Sequence, residues 1–242
     1  MKIIADTHCH TIASTHAYST IMENAEAASK MGLYAIAITD HARTMPGSPE
    51  MWYFENLRVI PKKIGNVFIL KGVEANILDK HGTLDINEKE EQTLEWVVAS
   101  IHHPATKLEP NNIKQCTKAM LNIAHDKRVN VIGHSGTQDY KYDYEKVIPE
   151  FGKNGKLVEI NNASFTVRGN SVPNCTTIAK LCKEYRVPVI LNSDSHFCTQ
   201  IGHVENAIKL LEEIDFPEEL IVNADINRFE DYLKTYTKFF NN

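Results

Sequence analysis

The sequence predicts an α/β protein, a single-domain (βα)7 barrel that is a distorted, TIM-like form of the eightfold barrel. Short apolar runs rich in β-branched residues alternate seven times with amphipathic stretches of helical length. Several runs are apolar at every position, as expected for parallel strands covered on both faces. With 242 residues, 43% of them hydrophobic, the chain can form one domain over residues 1–242. An open, doubly wound sheet is the alternative arrangement of the same elements.

Each predicted strand is one of these apolar runs. In order, the strands are Ile3–Asp6, Tyr34–Thr39, Val67–Glu74, Trp96–Ile101, Val129–Gly133, Leu157–Asn161 and Val187–Asn192. The helical segments lie near Ile21–Lys30, Trp52–Ile64, Asn112–His125, Tyr144–Lys153, Thr176–Glu184 and Val204–Ile214, and Ile226–Phe240 closes the chain. After the third strand comes a polar connection with a short Thr83–Ile86 stretch. Because β and α segments alternate, we expect parallel strands joined by right-handed crossovers.

Composition argues against several classes of protein. The net charge of −5 and the lack of clustered Lys and Arg argue against a nucleic-acid partner. The apolar runs are too short to span a membrane, and the first residues enter a strand instead of a signal peptide's apolar core. Five cysteines without a CxxC pair favour reduced thiols. We therefore expect a cytoplasmic protein, with a homo-oligomer left open.

Residues with metal-binding side chains stand at the ends of the predicted strands. Imidazole and carboxylate are the ligands that zinc and similar metals prefer. Because the carboxyl ends of parallel strands meet at one face of a barrel, we expect one multinuclear metal centre there. Only the sixth strand lacks a metal-type residue at its end. The candidate ligands are His8, His10, His16, His41, Glu74, His102, His134, Asp194 and His196.

The spacing inside these clusters agrees with a shared site. Residues i and i+2 of an extended segment point the same way, so His8 and His10 can bind one metal while Cys9 points into packing. His102 and His103 are adjacent, so only one faces the centre, and we choose His102; the role of His103 is left open. The other histidines are expected in loops or on the exterior: His81, His125 and His203.

Taken together, the motifs resemble the PHP family, named for polymerase and histidinol phosphatase domains, and within it the small stand-alone phosphatases of the YcdX type. The resemblance covers essentially the whole chain. It rests on the segments Asp-Thr-His-Cys-His-Thr, Ile-Thr-Asp-His-Ala, Gly-Val-Glu-Ala-Asn, Ile-Gly-His-Ser-Gly and Asn-Ser-Asp-Ser-His. Two further segments resemble the YcdX branch more narrowly, Ala13–Ser19 and Glu159–Asn162.

This resemblance implies a barrel that holds three divalent metal ions. Zinc is the first expectation, with manganese or iron as alternatives. Carried onto this chain, the resemblance implies that Glu74 bridges the first two ions. The implied ligand sets are His8, His10, Glu74 and Asp194 for the first ion, Glu74, His102 and His134 for the second, and His16, His41 and His196 for the third.

A small phosphorylated molecule is the substrate that suits such a centre. Three divalent ions together with Glu74 and Asp194 leave about +4 of charge for a hydroxide and a phosphate dianion to neutralise. We expect a phosphomonoesterase in which a metal-bridging hydroxide attacks phosphorus, so that no protein nucleophile is needed. Asp6 and Asp40 are candidates to hold ligand histidines in the required tautomer, or else make ordinary strand-end hydrogen bonds.

Two arginines are candidates for binding the substrate phosphate. Arg168 follows the sixth strand, and Arg43 stands next to His41. A guanidinium can make two parallel hydrogen bonds to phosphate oxygens, although either arginine would serve equally well as a solvated loop cation. The stretch Met51–Phe54 is best explained by amphipathic helix packing, with a cap over the pocket or a subunit contact as alternatives.

Other functions fit parts of the pattern less well. A phosphodiesterase or exonuclease could use the same centre, but the sequence shows no basic groove and no aromatic platform for bases. A noncatalytic metal-binding module is disfavoured because structural sites are usually closed. An amidohydrolase would be favoured by a lysine positioned for carbamylation, and no predicted strand end offers one.

Overall fold

A computed structural model describes residues 1–240 as a parallel sheet curled into a nearly closed barrel. Within this range the strands are β1 Ala5–Cys9, β2 Ala35–Ile38, β3 Lys63–Ile64, β4 Val67–Asn76, β5 Trp96–Ser100, β6 Val131–Ile132, β7 Leu157–Asn161 and β8 Val189–Asn192. The short β3 pairs antiparallel with β4, and the other seven strands are parallel and follow each other in chain order. The predicted (βα)7 barrel is confirmed, and the open doubly wound sheet is wrong.

One helix follows each parallel strand, and one more closes the described part of the chain. These helices are α1 Ile21–Met31, α2 Met51–Asn56, α3 Glu88–Thr93, α4 Ile113–His125, α5 Tyr144–Lys153, α6 Val172–Glu184, α7 Glu205–Glu213 and α8 Ile226–Tyr236. Over residues 1–240, no helix combines the length and the apolar character that crossing a membrane requires.

The structure differs from the prediction on either side of β4. The segment near Trp52–Ile64 is not one helix, because α2 ends at Asn56 and the chain turns extended at Ile60. Ile60 precedes a proline, and a residue in that position is disfavoured in the helical region. After β4, α3 occupies the predicted polar connection. It has no apolar stripe and begins at a capping box made by Asn87 and Glu90.

Between β8 and β1 the barrel is closed by a few backbone bonds and by the side chains of Asn192 and Asn223. Asn223 is completely buried, and its amide donates to the carbonyl oxygens of Ala5 at 2.7 Å and Leu191 at 2.6 Å. Its Oδ1 accepts the backbone N–H of Leu191 at 3.1 Å. Towards the carboxyl end, Cys9 and Ser195 form a parallel bridge. Asn223 thus pairs backbone groups that a continuous strand ladder would otherwise have satisfied.

Apolar side chains fill the amino-terminal half of the barrel. Trp96 is fully buried there, and the rings of Phe229 and Tyr232 from α8 pack on it with centroids 6.2 and 5.8 Å away. The strand residues in the same interior cluster are Ala5, Ala35, Ala37, Leu70, Val98, Val131, Leu157 and Ile190. Because this half is packed with apolar groups, the polar chemistry of the barrel is concentrated at the carboxyl ends of the strands.

Candidate metal centre

All nine predicted ligand residues lie in one contiguous cluster at the carboxyl ends of the strands. Glu74, on β4, is at its centre and is almost completely buried. Its two oxygens lie within 3.5 Å of five imidazole nitrogens: Oε1 faces Nε2 of His134 at 3.0 Å, of His8 at 3.3 Å and of His102 at 3.3 Å, and Oε2 faces Nδ1 of His41 at 2.7 Å and Nε2 of His10 at 3.5 Å. This position suits the bridging role that the sequence resemblance implies.

Asp194 is the second carboxylate of the cluster. Its Oδ1 lies 3.2 Å from Nε2 of His10, 3.6 Å from Nε2 of His8 and 3.8 Å from Nδ1 of His196. The Nε2 atoms of His8 and His10 therefore lie between the carboxylates of Glu74 and Asp194.

The outer edge of the cluster is formed by three histidines from different loops. Nε2 of His16 lies 3.2 Å from Nε2 of His41, and the ring of His16 stacks on that of His196 with centroids 4.7 Å apart. His16 is exposed and the side chain of His196 is 26% exposed, whereas His41 is buried. This edge is the part of the cluster that a substrate can reach from solvent.

Several close contacts in the cluster are not aligned as hydrogen bonds. Nδ1 of His41 and Oε2 of Glu74 are 2.7 Å apart without the geometry of a hydrogen bond. Among the described residues, four buried atoms of the cluster lack an aligned hydrogen bond: Nε2 of His8, Nε2 of His10, Nδ1 of His41 and Oε2 of Glu74. Buried polar atoms are nearly always paired, so four such atoms in one cluster indicate a donor set that suits cations. Three groups have ligand atoms within 4.8 Å of one another: His8, His10 and Asp194; His10, His41 and His196; His41, Glu74 and His102. Imidazole and carboxylate donors fit zinc, manganese or iron.

The ring of His102 is oriented by a hydrogen-bond chain behind it. Its Nδ1 lies 2.7 Å from Oδ1 of Asn76, and Nδ2 of Asn76 donates to Oδ2 of Asp85 at 2.7 Å. An ionised carboxylate only accepts, so Asn76 presents its NH2 to Asp85 and its oxygen to His102. Nδ1 of His102 is then the donor, and Nε2 is left with a lone pair directed at Glu74.

Two ligand residues have backbone conformations that are rare outside glycine. The φ angles of His134 and Asp194 are 24° and 57°, both positive. Such conformations cost on the order of 1–3 kcal/mol and persist where the surrounding structure holds them. Here they turn the side chains inward at the points where β6 and β8 end.

A bulge in β1 aims His8 at the centre. The pairing of β1 with β2 shifts register between Asp6 and Cys9. Ala5 faces the barrel interior, and Cys9 packs outward in the core between sheet and helices, as predicted for it. In a regular strand these two residues would share a face, so the irregularity lets His8 point inward as well.

Asp6 and Asp40 do not hold imidazoles directly. Asp6 accepts from the backbone N–H and hydroxyl of Ser193 and from the N–H of Gly202. Asp40 accepts from Thr11, from the hydroxyl of Ser14 at 2.8 Å and from the phenol of Tyr53 at 2.5 Å. These contacts match the strand-end alternative, although Ser14 also links Asp40 to the cluster, with its hydroxyl 3.5 Å from Nδ1 of His10.

The phenol of Tyr53 also explains the aromatic stretch at the start of α2. This bond to Asp40 anchors α2 beside the strand ends, and Phe54 is buried while Trp52 is 82% exposed. Helix packing, the preferred interpretation of Met51–Phe54, matches these contacts.

The two candidate arginines have different surroundings. Arg43 turns away from the ligands: its Nε donates to the carbonyl oxygen of Asp85 at 3.0 Å and its Nη2 lies 3.5 Å from Oε2 of Glu90. Phosphate binding by Arg43 stays a prediction, and these contacts direct its guanidinium away from the ligand cluster. Arg168 lies at the centre, with Nη1 3.2 Å from Oδ2 of Asp194. His103 is exposed to solvent, unlike the buried His102 beside it.

A cleft of about 480 Å³ opens beside the cluster. Arg168 and Val167 line one side of it, and His196 and Gln200 line another. His203, expected in a loop or on the exterior, also lines this cleft, where its Nδ1 lies 2.8 Å from Oε1 of Glu205. The size of the cleft suits a small molecule.

Glu159 is the residue of this site that the sequence analysis missed. It lies within β7, the strand thought to lack a metal-type residue, and its Oε1 is 2.7 Å from Nδ1 of His8. A lone acid inside the apolar run Leu-Val-Glu-Ile was the available signal. It stands two positions before Asn161, so both side chains share a face of the strand.

Mutual proximity shifts the pKa values of these groups. Burial raises the pKa of Glu74, but the imidazoles of His102, His8 and His41 outweigh burial and hold this pKa well below its ordinary range. Burial lowers the pKa of His134 to about 4, with a further lowering from Arg168. An ionised carboxylate and a neutral imidazole are the forms that bind metals.

His8 behaves differently because it faces three carboxylates. Burial lowers its pKa, yet Glu159, Glu74 and Asp194 together raise it well above the ordinary value. A metal that binds Nε2 of His8 therefore displaces a proton.

One family model and several curated proteins match this chain. The model of the PHP domain family matches residues 6–163. A protein of Clostridium novyi (strain NT) named probable phosphatase is 44% identical over 98% of this chain and 97% of its own. A probable phosphatase of Caldanaerobacter subterraneus is 45% identical over 98% of this chain and 94% of its own.

Solved structures with the same fold are more distant in sequence. A histidinol phosphate phosphatase from Lactococcus lactis, solved with zinc, L-histidinol and phosphate, has a TM-score of 0.57 at 15% identity, over 88% of this chain and 94% of that one. A chain of an archaeal ribonuclease P has a TM-score of 0.60 at 11% identity, over 98% of this chain and 93% of that one. At these identities the likeness concerns the fold alone. The match to the family model and the close relatives show that this chain belongs to the PHP domain family.

Proposed function

We propose that the protein is a metal-dependent phosphomonoesterase that acts on a small phosphorylated molecule. The observation that carries this proposal is the position of Glu74, whose two oxygens face five imidazoles beside a cleft that contains Arg168. Close relatives named probable phosphatase support the reaction class.

Three divalent ions are the cofactors we propose, zinc first and manganese or iron as alternatives. Orphaned buried atoms on four ligand residues support metal binding. We assign the ligands as the sequence resemblance implies: His8, His10, Glu74 and Asp194; Glu74, His102 and His134; His16, His41 and His196. When bound, divalent ions would supply Lewis acidity and a hydroxide nucleophile near neutral pH.

The chain's own residues orient the phosphate and balance its charge. Arg168 is 27% exposed and reaches the centre from the wall of the cleft, so its guanidinium can donate to phosphate oxygens while it stays near Asp194. Glu159 brings one negative charge and Arg168 one positive charge that the charge balance above left out. The two cancel, so the expected excess of about +4 still favours a phosphate dianion.

Three side chains near the cluster, Cys9, Ser14 and Ser193, are poorly placed to act as nucleophiles. Cys9 is completely buried, and burial raises the pKa of its thiol well above the ordinary value. The hydroxyl of Ser14 donates to Asp40, and that of Ser193 donates to Asp6. These contacts support hydrolysis by water without a covalent intermediate on the protein.

We extend the proposed domain to the whole chain, residues 1–242, and keep the cytoplasm as its expected location. The family match ends at residue 163, yet β8 completes the barrel and Asp194 completes the ligand cluster. β8 lies in the same sheet as β4, which carries Glu74, and Asp194 lies in the same ligand cluster as Glu74.

The test is a pair of assays on the purified, metal-loaded protein. We expect phosphate release from an aryl phosphomonoester, loss of this activity on chelation, and recovery when zinc or manganese is returned. The matching aryl phosphodiester should be hydrolysed far more slowly. Preference for the diester would favour the phosphodiesterase alternative. A folded, metal-loaded protein inactive on a broad panel of phosphate esters would favour a noncatalytic metal-binding module.

A further inference from the structure

We propose that Glu159 is a positioning residue that fixes the geometry of metal ligands delivered by three different strands, an inference that rests on the metal-dependent function proposed above. Glu159 is 4% exposed and lies behind the ligand cluster, inside β7. Glu159 is not one of the nine predicted ligands, but its carboxylate is hydrogen-bonded to two of them, His8 and His134.

Four hydrogen-bond donors converge on the two oxygens of Glu159. Oε1 lies 2.7 Å from Nδ1 of His8 and accepts from Nδ2 of Asn192 at 2.9 Å. Oε2 accepts the backbone N–H of His134 at 2.7 Å and Nδ2 of Asn161 at 3.1 Å. An ionised carboxylate is an acceptor only, with lone pairs enough for all four bonds. Among protein side chains, only a carboxylate has two oxygens that both accept and do not donate.

The orientation of the two asparagines follows from their other contacts. Oδ1 of Asn192 accepts from the N–H and hydroxyl of Thr7, so its NH2 group faces Glu159. Nδ2 of Asn161 also donates to Oδ2 of Asp194 at 3.1 Å. Both amides are thus held as donors towards carboxylates.

The first consequence concerns His8. Because Glu159 accepts at Oε1, the proton of the neutral imidazole is on Nδ1, and Nε2 carries the lone pair. That lone pair is directed at Oε1 of Glu74, 3.3 Å away, and at Oδ1 of Asp194, 3.6 Å away. When a cation takes the place of a proton on Nε2, Glu159 keeps the other proton on Nδ1, so the lone pair of Nε2 faces the cation.

The second consequence concerns the two ligand residues with positive φ. Glu159 holds the N–H of His134 directly, and it holds Asp194 through the shared amide of Asn161. Ligands at the ends of β1, β6 and β8 therefore depend on one carboxylate of β7. The positive-φ backbones of His134 and Asp194 are thus supported by bonds within the protein.

The proposal predicts that an amide cannot replace this carboxylate. In Glu159→Gln, an NH2 group must face either His8 and Asn192 or His134 and Asn161, and both pairs are donors. If the NH2 group faces His8, the imidazole must move its proton to Nε2, where a metal should bind. We expect zinc affinity to fall by about 10–100-fold, the usual effect of losing a carboxylate that orients a metal-bound histidine.

The experiment measures zinc affinity by competition with a chelating dye, beside urea unfolding of the metal-free proteins. Glu95→Gln is the matched control, since Glu95 is a buried carboxylate that accepts from the backbone N–H of Lys71 at 3.0 Å and lies outside the ligand cluster. We expect Glu95→Gln to keep the wild-type zinc affinity, and Glu159→Gln to lose affinity in its folded fraction. Equal zinc affinity of Glu159→Gln and the wild type would overturn the proposal.

A second measurement does not depend on the variant folding. Long-range ¹H–¹⁵N spectra of the zinc-loaded wild-type protein should show the proton of His8 on Nδ1. A proton on Nε2 would refute the positioning role. If the wild-type protein binds none of zinc, manganese and iron, the proposed function fails as well. If it binds zinc and hydrolyses phosphomonoesters while the zinc affinity of Glu159→Gln is unchanged, only this inference fails.

Discussion

Nη1 of Arg168 lies 3.2 Å from Oδ2 of Asp194, so the guanidinium nearest the centre is paired with a predicted metal ligand and also lines the cleft. Burial raises the pKa of Asp194, but His8, His10 and Arg168 hold it well below the ordinary range. The carboxylate therefore stays ionised while Arg168 keeps donors for a phosphate.

We expect Arg168→Gln to lower kcat/KM for an aryl phosphate by about 10–100-fold, because hydrogen bonds to charged groups are worth roughly 1.5–3 kcal/mol. Zinc content should stay at the wild-type level. Arg43→Gln is the matched control, since Arg43 bonds to Asp85 and Glu90 and should leave kcat/KM within about twofold. Steady-state kinetics with elemental analysis check both. Equal losses of kcat/KM in the two variants would contradict a role of Arg168 in phosphate binding.

Adjacent histidines provide a second test. His102 is buried with Nε2 3.3 Å from Glu74, whereas His103 is exposed. His102→Ala should lower the zinc bound per chain and reduce activity by about 100-fold or more, because it removes a proposed metal ligand beside Glu74. His103→Ala should match the wild type in both respects. If the two variants exchanged these phenotypes, the ligand at the end of β5 would be His103.

A third prediction concerns stability and not catalysis. Asn223→Ala removes bonds to Ala5 and Leu191 where β8 meets β1, and it leaves buried backbone groups unpaired. The free energy of unfolding should fall by about 3 kcal/mol or more. Asn206→Ala, at an exposed position of α7, should change it by less than about 0.5 kcal/mol. Urea unfolding of the metal-free proteins measures both, and a mild effect at Asn223 would show that the barrel closes without it.

The buried ammonium of Lys156 predicts a pH dependence of stability. Nζ donates to the carbonyl oxygens of Asp126 at 2.5 Å and Val129 at 2.7 Å, and burial lowers its pKa to about 8, although Asp126 opposes this. Between that value and the ordinary 10.5, the unfolded chain binds a proton that the folded chain has released. Stability conferred by this side chain should therefore rise with pH across that window and be lowest below about pH 8.

Lys156→Met isolates this effect, because other groups titrate alike in both proteins. The unfolding free energy of the wild type minus that of Lys156→Met should rise by about 2–3 kcal/mol from about pH 7 to about pH 10. Urea titrations at the two pH values provide the numbers. A difference that is independent of pH would mean that Lys156 keeps an ordinary pKa.

The sequence was sufficient to predict the barrel and the membership of the cluster. Strand ends of parallel sheets share one face, so His41 and Glu74 could be placed together without knowledge of the loops. The helix predictions were least accurate where local signals were weak. The polar α3 has no apolar periodicity that would reveal it. Pro61 makes a continuous helix from Trp52 to Ile64 unfavourable, and the chain is extended at Ile60.

Contacts between distant parts of the chain could not be read from local patterns. Adjacency to His41 suggested Arg43 as a phosphate ligand, but Asp85 and Glu90 lie on the side to which its guanidinium turns. Asp6 and Asp40 looked suitable for orienting histidines, yet hydroxyl and N–H groups occupy them. The partner of a polar side chain depends on which elements fold against it.

By itself, the sequence determined the barrel, the strand ends that meet, and the kinds of donor atom gathered there, because periodicity and residue chemistry are properties of short segments. Only the tertiary structure decided that Glu159 lies behind His8, that Asn223 joins β8 to β1, and that Arg168 and not Arg43 reaches the cleft. These relationships join residues up to 218 positions apart, and their distances are set by barrel closure and side-chain direction.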